Sequence, residues 1–136
     1  MSMEKPMNVF DIAGRAMSAQ LVRLNATASN MANAGTISGS EKTAYRAIRP
    51  VFKPVTEGPG VSTVSVDRIV TSDTPATKRH DPGHPLADAN GDVWEAGVDS
   101  SAELVDMVEA SRMYQNNVQV LQTAKSLMLE TIRLGK

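Results

Sequence analysis

The chain contains no cysteine, few aromatic residues and almost no net charge. Without cysteine there is no disulfide, no zinc–thiolate site and no thiol nucleophile. One Trp, two Tyr and two Phe among 136 residues leave Leu, Val, Met and Ala to supply most of the buried surface. The formal net charge of −1, with no long basic run, argues against a nucleic-acid partner. The length of 136 residues is sufficient for one ordinary domain.

Groups that could catalyse a reaction or bind a metal are scarce as well. His80 and His84 are the only histidines and flank a Pro-Gly turn with Asp81, whereas a metal site needs a third or fourth ligand held in place. Residues 88–99 begin like an EF-hand loop but carry Val93 where that loop requires glycine. We find no paired carboxylates, Ser-His-Asp set or phosphate-binding glycine loop. The sequence therefore predicts neither an enzyme nor a cofactor or metal site.

No segment is apolar for long enough to cross a membrane, and residues 1–7 lack the apolar stretch of a cleaved secretion signal. We predict that residues 1–7 are disordered or extended. On these grounds alone, the expectation is a soluble cytoplasmic protein.

Residues 8–34 are predicted to form a helix. Asn8 is a suitable N-cap, with Asp11 three residues later. Apolar and small residues follow at alternating spacings of three and four, which is typical of a helix that packs in a coiled coil. This predicted seam consists of Phe10, Gly14, Met17, Leu21, Leu24, Ala28 and Met31.

Residues 100–136 are predicted to form a second, longer helix. Ser100 and Glu103 form a candidate capping box at its start. Its length, about 50 Å at 1.5 Å per residue, exceeds what a small domain needs for its own core. Its predicted seam consists of Ala110, Met113, Asn117, Val120, Ala124, Leu127, Thr131 and Leu134, beside a second apolar row of Leu121, Met128 and Ile132.

Residues 35–99 are predicted to form a small, irregular β-rich insert, because proline and glycine interrupt any long helix there. The β-branched run 61–70 is the best strand candidate, and 46–55 and 92–98 are weaker ones. The predicted fold is therefore α+β. Its long terminal helices are expected to pack as an antiparallel, coiled-coil-like pair, and the β-rich insert lies between them in the sequence.

Both helices have few charges on their outer faces. Asp11, Arg15 and Arg23 are the only charged residues between 8 and 34, and residues 113–124 have none. A solvated helix normally carries Glu and Lys, whereas amides and hydroxyls can be buried when they are hydrogen-bonded. This favours helices enclosed on several sides by other subunits. The alternatives are a low-charge monomer surface, a soluble coiled-coil adaptor, or a small hydrolase built on one of the histidines.

Several segments resemble flagellar rod and hook proteins. They are Asn8-Val-Phe-Asp-Ile-Ala-Gly14, Leu24-Asn-Ala-Thr-Ala-Ser-Asn-Met-Ala-Asn-Ala34, Tyr45-Arg46-Ala47 and Ala110-Ser-Arg-Met-Tyr-Gln-Asn-Asn-Val118. The loop Pro82-Gly-His-Pro-Leu-Ala-Asp-Ala-Asn-Gly91 and the shortness of the chain are most similar to proximal rod proteins of the FlgC type.

The resemblance implies a structural subunit of the flagellar proximal rod, the drive shaft that transmits motor torque to the hook and supports motility. It implies terminal helices that form a tube around the export channel. The implied partners are other rod subunits, copies of the same chain, rod-base and ring components, and the flagellar type III export apparatus. The implied location is the basal body, in a rod that spans the periplasm, reached without a cleaved signal peptide.

An assembly interface on both helices is the predicted site. Its apolar members are Phe10, Met17, Leu21, Leu24, Met31, Val120, Leu121, Leu127 and Met128. Its polar members, which occupy the positions of the family motifs, are Asn25, Ser29, Asn30, Asn33, Arg112, Tyr114, Gln115 and Asn117. We hypothesise that the polar side chains bond between neighbouring subunits and fix their axial register. The alternative is that they bond to their own local backbone.

Overall fold

The computed structural model describes residues 8–135, so the prediction for residues 1–7 lies outside the described residues. Two helices enclose five strands along the chain, and every strand pairing is antiparallel. This confirms the prediction of an α+β fold with helices at both ends. The elements are α1 (Val9–Asn33), β1 (Ile37–Ser38), β2 (Ile48–Gly58), β3 (Val61–Thr71), β4 (Thr77–His80), β5 (Asp92–Glu95) and α2 (Ser100–Leu134).

The first helix begins where its capping residues predict. The Asn8 side chain accepts from the backbone N–H of Asp11 at 3.0 Å, and the Asp11 carboxylate accepts from the Asn8 N–H at 3.1 Å. This reciprocal pair satisfies two N–H groups that the first helical turn leaves without partners. The predicted N-cap is confirmed.

The second helix is capped differently from the prediction. Its N-cap is Asp99, whose carboxylate accepts from the N–H groups of Ser101 and Ala102. Glu103 does not reach back to the cap as a capping box requires; its carboxylate bonds to Asn30 and Arg49 instead. The predicted Ser100–Glu103 capping box is therefore wrong, because Glu103 is drawn into tertiary contacts. Within residues 8–135, neither helix is apolar enough over a sufficient length to cross a bilayer.

The two helices pack against each other in opposite directions. Asn30, near the end of α1, contacts Glu103 at the start of α2, while Phe10 at the other end of α1 shares a groove with Leu127. The contact does not use the whole predicted seam of α1, because Leu21 and Ala28 are exposed. The buried stripe of α1 consists instead of Ala13, Ala19, Ala26, Thr27 and Asn30.

The stripe is displaced because α1 packs against the hairpin of β2 and β3 as well as against α2. Small side chains allow two neighbours to approach one helix closely, and the larger seam residues are left beside that contact. On α2, Ala110 is fully buried, whereas the later seam residues Val120 and Leu127 are exposed. The helices pack against each other, but the predicted coiled-coil pairing is not confirmed.

Two separate sheets lie between the helices in the sequence. β2 and β3 form a long two-stranded hairpin around the turn Pro59-Gly60, where Gly60 has a φ of 73° that suits glycine. The second sheet has the strand order β1-β5-β4. The predicted strands 46–55, 61–70 and 92–98 overlap β2, β3 and β5, but β1 and β4 were not predicted from the sequence.

Candidate assembly surface

Asn30 is the centre of a polar cluster that joins both helices to the hairpin. Its side-chain oxygen accepts from the Tyr45 hydroxyl and from the Ile48 N–H, each at 2.8 Å. Its side-chain nitrogen donates to the Ile48 carbonyl at 2.9 Å and to the Glu103 carboxylate at 3.1 Å. The side chain is 1% exposed and makes four hydrogen bonds within the chain. Its full hydrogen-bonding capacity is therefore used before any partner binds.

Charged side chains continue this cluster along the helix pair. Arg49 on β2 donates to Glu103 at 2.7 Å and to Asp106 at 2.8 Å. Arg23 on α1 also reaches Asp106, at 3.1 Å. Glu103 is fully buried, and a buried carboxylate is tolerated only when it is paired and hydrogen-bonded. We call Asn30, Tyr45, Arg49, Glu103 and Asp106 the polar cluster.

The three charged residues of α1 all have partners inside the chain. Asp11 caps its own helix, Arg15 pairs with Glu57 on β2 at 3.0 Å, and Arg23 pairs with Asp106. The low charge of α1 noted in the sequence therefore leaves outward faces that carry apolar, amide and hydroxyl groups.

The predicted interface residues differ widely in exposure. Asn30 alone is buried. The half-buried members are Phe10, Met17, Leu24, Ser29, Met31, Asn33, Tyr114, Asn117 and Leu121. The exposed members are Leu21, Asn25, Arg112, Gln115, Val120, Leu127 and Met128.

Several polar members bond locally or within the chain. Asn33 donates to the Ser29 carbonyl at 2.8 Å, and Asn117 donates to the Met113 carbonyl at 2.9 Å. The Ser29 hydroxyl lies 3.2 Å from the hydroxyl of Tyr45. For Asn33 and Asn117 the structure thus shows the local bonding that was the alternative to a register role, although each amide retains capacity for further bonds.

An apolar groove brings together predicted residues from both helices. Its volume is about 700 Å³, and its walls include Val9 and Phe10 from α1 and Val120, Leu127 and Met128 from α2. Val9 is 43% exposed and Leu127 is 59% exposed. The groove lies where the start of α1 meets the second half of α2, and we call it the end groove.

The last part of α2, which includes Leu127 and Met128 of the end groove, has its side chains in solvent. Every described residue from Lys125 to Gly135 is exposed, including Leu129, Ile132 and Leu134. A large exposed apolar surface of this kind commonly marks a site of protein–protein contact. We call Leu127, Met128, Leu129, Ile132 and Leu134 the α2 tail.

A third apolar surface was missed in the sequence. Leu104, Val105 and Val108 are exposed on the first half of α2, next to Arg112. Their spacing of three and four places them on one face of the helix, a signal that the strong seam further along the helix obscured. Of these residues, only Arg112 had been predicted as part of the interface.

The histidine turn has electrostatic partners that explain its structure. His80 lies 2.9 Å from the Asp92 carboxylate, and Lys78 lies 2.8 Å from the same group. The hydrogen bond from Lys78, followed by that from His80, lowers the pKa of Asp92, and Asp92 raises the pKa of Lys78. Nδ1 of His84 accepts from the Leu86 N–H. Among residues 8–135, no group of three or more His, Asp or Glu side chains is arranged to hold a metal.

Comparisons with known proteins match this architecture. A family model described as flagella basal body rod protein matches residues 10–36, which include most of α1. A model described as flagellar basal body rod FlgEFG protein C-terminal matches residues 89–134, which include β5 and α2.

Curated relatives match over nearly the full length. The flagellar basal-body rod protein FlgC of Yersinia enterocolitica is 49% identical over 132 residues, which cover 96% of this chain and 98% of the relative. FlgC of Salmonella typhimurium is 47% identical with the same coverage. FlgC of Buchnera aphidicola subsp. Schizaphis graminum is 37% identical over 134 residues, again with 96% and 98% coverage.

Proposed function

This chain belongs to the FlgC family of flagellar basal-body rod proteins, and we propose that it builds the proximal rod through the exposed faces of its two helices. It is a structural subunit and not an enzyme. Its partners are other components of the flagellar basal body.

The observation that carries this proposal is the α2 tail together with the end groove. Leu127, Ile132 and Leu134 are 59%, 55% and 87% exposed, at the end of a helix whose opposite end is held by the polar cluster. Burying such side chains in an interface contributes a favourable free energy of about 25 cal/mol for each Å² of apolar surface removed from water. Assembly with helices of neighbouring subunits is the step that supplies this cover.

In the assembled rod, the predicted seams pair between subunits. Leu21 and Val120 are exposed in the subunit and become part of coiled-coil-like contacts with neighbours. Asn25, Gln115 and Arg112, which are exposed on the same helices, are the polar residues that select the axial register. Asn30 has no such role, because its four bonds lie within the chain.

The remaining features of the proposal follow from membership of a rod. The helices form a tube that encloses the export channel, crosses the periplasm and carries torque from the motor to the hook. The β strands lie toward its outer side. The subunit arrives through the flagellar type III export apparatus without cleavage of a signal peptide, and it meets copies of itself, other rod subunits, rod-base proteins and ring components.

The proposal is tested with the double variant Leu127→Gln and Ile132→Gln, expressed in cells that lack the native copy. We expect the purified variant to keep its unfolding free energy within about 0.5 kcal/mol, because surface substitutions rarely change stability more. We expect it to be missing from purified basal bodies and the cells to be non-motile.

The matched control is Gln122→Ala with Ser126→Ala, two exposed polar positions on the same part of α2. This control should enter basal bodies normally. Normal motility and incorporation of the Leu127→Gln, Ile132→Gln protein would contradict the proposed interface. A discrete soluble dimer that never enters basal bodies would instead favour an adaptor.

A further inference from the structure

The two edges of the long hairpin are chemically different. Within residues 8–135, β2 and β3 pair only with each other, so each strand has an outer edge. β2 carries Pro50 and Pro54, whereas β3 has no proline between Val61 and Thr71. Proline lacks the N–H that a further strand would need, and proteins use it to protect edges. The outer edge of β2 is protected in this way and that of β3 is not.

The pairing register identifies the outward-facing backbone of β3. Pro54 lies opposite Val64, and Pro50 lies opposite Ile69. Because a proline has no N–H to exchange with its partner, these pairs are the ones whose backbone groups point away from the other strand. The N–H and C=O groups of Val64 and Ile69 therefore point outward on the β3 edge.

A groove runs between the first half of α1 and this edge. Its volume is about 810 Å³, and three consecutive residues of β3, Val64, Ser65 and Val66, line it together with Glu57 near the end of β2. Since successive side chains of a strand point to opposite faces, a groove lined by three in a row faces the edge of the strand. On the helix side lie Phe10, Gly14, Ser18, Ala19 and Val22.

The helix wall is suited to a close approach of another chain. Gly14, Ser18 and Ala19 have small side chains, and a Cβ added at Gly14 would meet no atom of the described chain within 4 Å. Phe10 and Val22 supply apolar surface, while Asp11 and Arg15 are charged, and Arg15 pairs with Glu57 of β2 across the groove. The groove thus combines backbone hydrogen-bonding groups on one side with a helix wall of small, apolar and charged side chains on the other.

We propose that this groove receives an extended segment of a neighbouring rod subunit, which adds as a third strand to the outer edge of β3. The inference rests on the proposed function and names a contact beyond the helix seams. Main-chain bonds to the β3 edge hold the segment, and its alternate side chains pack against Phe10 and Val22. An extended segment is favoured over a helix because the unprotected edge offers main-chain bonds that only an extended backbone can make.

The test compares Val64→Pro with Val64→Thr in cells that lack the native copy. Proline removes the outward N–H, while threonine keeps it together with a β-branched side chain. We expect Val64→Pro to reduce the amount of the chain in purified basal bodies at least about fivefold, the effect of one lost hydrogen bond, and Val64→Thr to leave it unchanged. Ile69→Pro is the matched control, since Ile69 has an outward N–H but lies outside the groove.

Gly14→Leu tests the groove without weakening the subunit. Leucine is a better helix former than glycine, so the purified variant should unfold about 2–4 °C higher. The larger side chain fills the groove, and we therefore expect fewer basal bodies to contain the Gly14→Leu variant. Gly14→Ala, which adds one methyl group, should retain more incorporation than Gly14→Leu.

The outcomes are distinct. Loss with Gly14→Leu but equal incorporation of Val64→Pro and Val64→Thr would show a helix in the groove and overturn the added strand. If Val64→Pro unfolds, photoreactive benzoylphenylalanine is placed at Ser18, in the groove, and in a separate control variant at Lys53 on β2. In assembled basal bodies we expect the probe at position 18, but not the probe at position 53, to cross-link to an extended segment of a neighbour. The absence of this cross-link from position 18 would overturn the inference. If the wild-type chain does not enter basal bodies, the proposed function fails and this inference fails with it.

Discussion

At the scale of single residues, Asn30 shows how a motif residue can join distant parts of its own chain. It was predicted to bond between subunits, yet it bonds to Tyr45, Ile48 and Glu103 of its own chain. An asparagine amide can donate and accept at once, which a buried junction of a helix, a strand and a carboxylate requires. Its role is to hold α1, β2 and α2 in one arrangement.

Asn30→Ala should therefore destabilise the isolated subunit. The substitution removes the partner of both backbone groups of Ile48 and one of the two hydrogen-bond partners of the buried Glu103 carboxylate, which keeps Arg49. We expect a loss of about 2–4 kcal/mol in the free energy of unfolding, measured by urea denaturation. Asn117→Ala, which removes one local bond to Met113, is the control and should cost under about 1 kcal/mol. Similar losses for the two variants would show that the polar cluster does not stabilise the fold.

The lowered pKa of Asp92 predicts how acid changes the stability of the second sheet, which contains β4 and β5. Hydrogen bonds from Lys78 and then His80 lower its pKa in the folded chain relative to the unfolded chain. Its contribution to stability is therefore fully present above its ordinary pKa and is lost as the pH falls through the lowered folded value. Carbon-detected NMR titration should show the Asp92 carboxyl titrating below the ordinary range, and Lys78→Met should raise that midpoint. An unchanged midpoint in Lys78→Met would contradict the assignment of Lys78 as the main cause.

At the scale of elements, the caps decide where the helices begin, and the correction at α2 is directly testable. Asp99 accepts from two N–H groups of the first turn, while Ser100 is the first helical residue. Asp99→Ala should cost about 1 kcal/mol in unfolding free energy, the usual effect of removing an N-cap. Ser100→Ala should be close to neutral. The opposite order of the two effects would restore Ser100 as the cap.

Local patterns predicted the elements that depend on local chemistry. Asn8 and Asp11 form their capping pair from neighbouring residues, and the β-branched run 61–70 became β3. β4 was missed because all four residues from Thr77 to His80 are exposed and show no alternation of apolar and polar side chains.

The polar cluster could not be predicted because its members are distant in sequence. Asn30 and Glu103 are 73 positions apart, and Arg49 and Glu103 are 54 positions apart. The buried face of α1 was misplaced for a related reason. Its alanines are a weaker hydrophobic signal than the row of Phe, Met and Leu beside them, and only the position of the hairpin selects the alanine face. The exposed seam residues Leu21, Val120 and Leu127 were predicted from their spacing of three and four, whereas Leu104, Val105 and Val108 were not predicted.

At the scale of the whole molecule, the two ends of α2 differ in how far they pack against the rest of the chain. The first part of α2 is fixed to α1 and β2 by Glu103, Asp106 and the fully buried Ala110. The last part is exposed on all its described residues from Lys125 onward. A helical segment without tertiary packing is marginal in water, since most helical stability in proteins comes from burying one face. The first part of α2 is thus held by tertiary contacts, whereas its last part has little packing within the described chain.

Amide hydrogen exchange should reveal this gradient. In the isolated subunit we expect amides of residues 126–134 to exchange at least about 100-fold faster than those near Ala110, because unsupported helical turns open at little cost in free energy. Residues 104–108 are the internal control: the Val105 side chain is 66% exposed, similar to the 59% of Leu127, but its helical turn adjoins the polar cluster. In purified basal bodies the α2 tail should become protected. Equal protection of residues 104–108 and 126–134 in the isolated subunit would mean that α2 is ordered along its whole length before assembly, and that neighbours add contacts without ordering its tail.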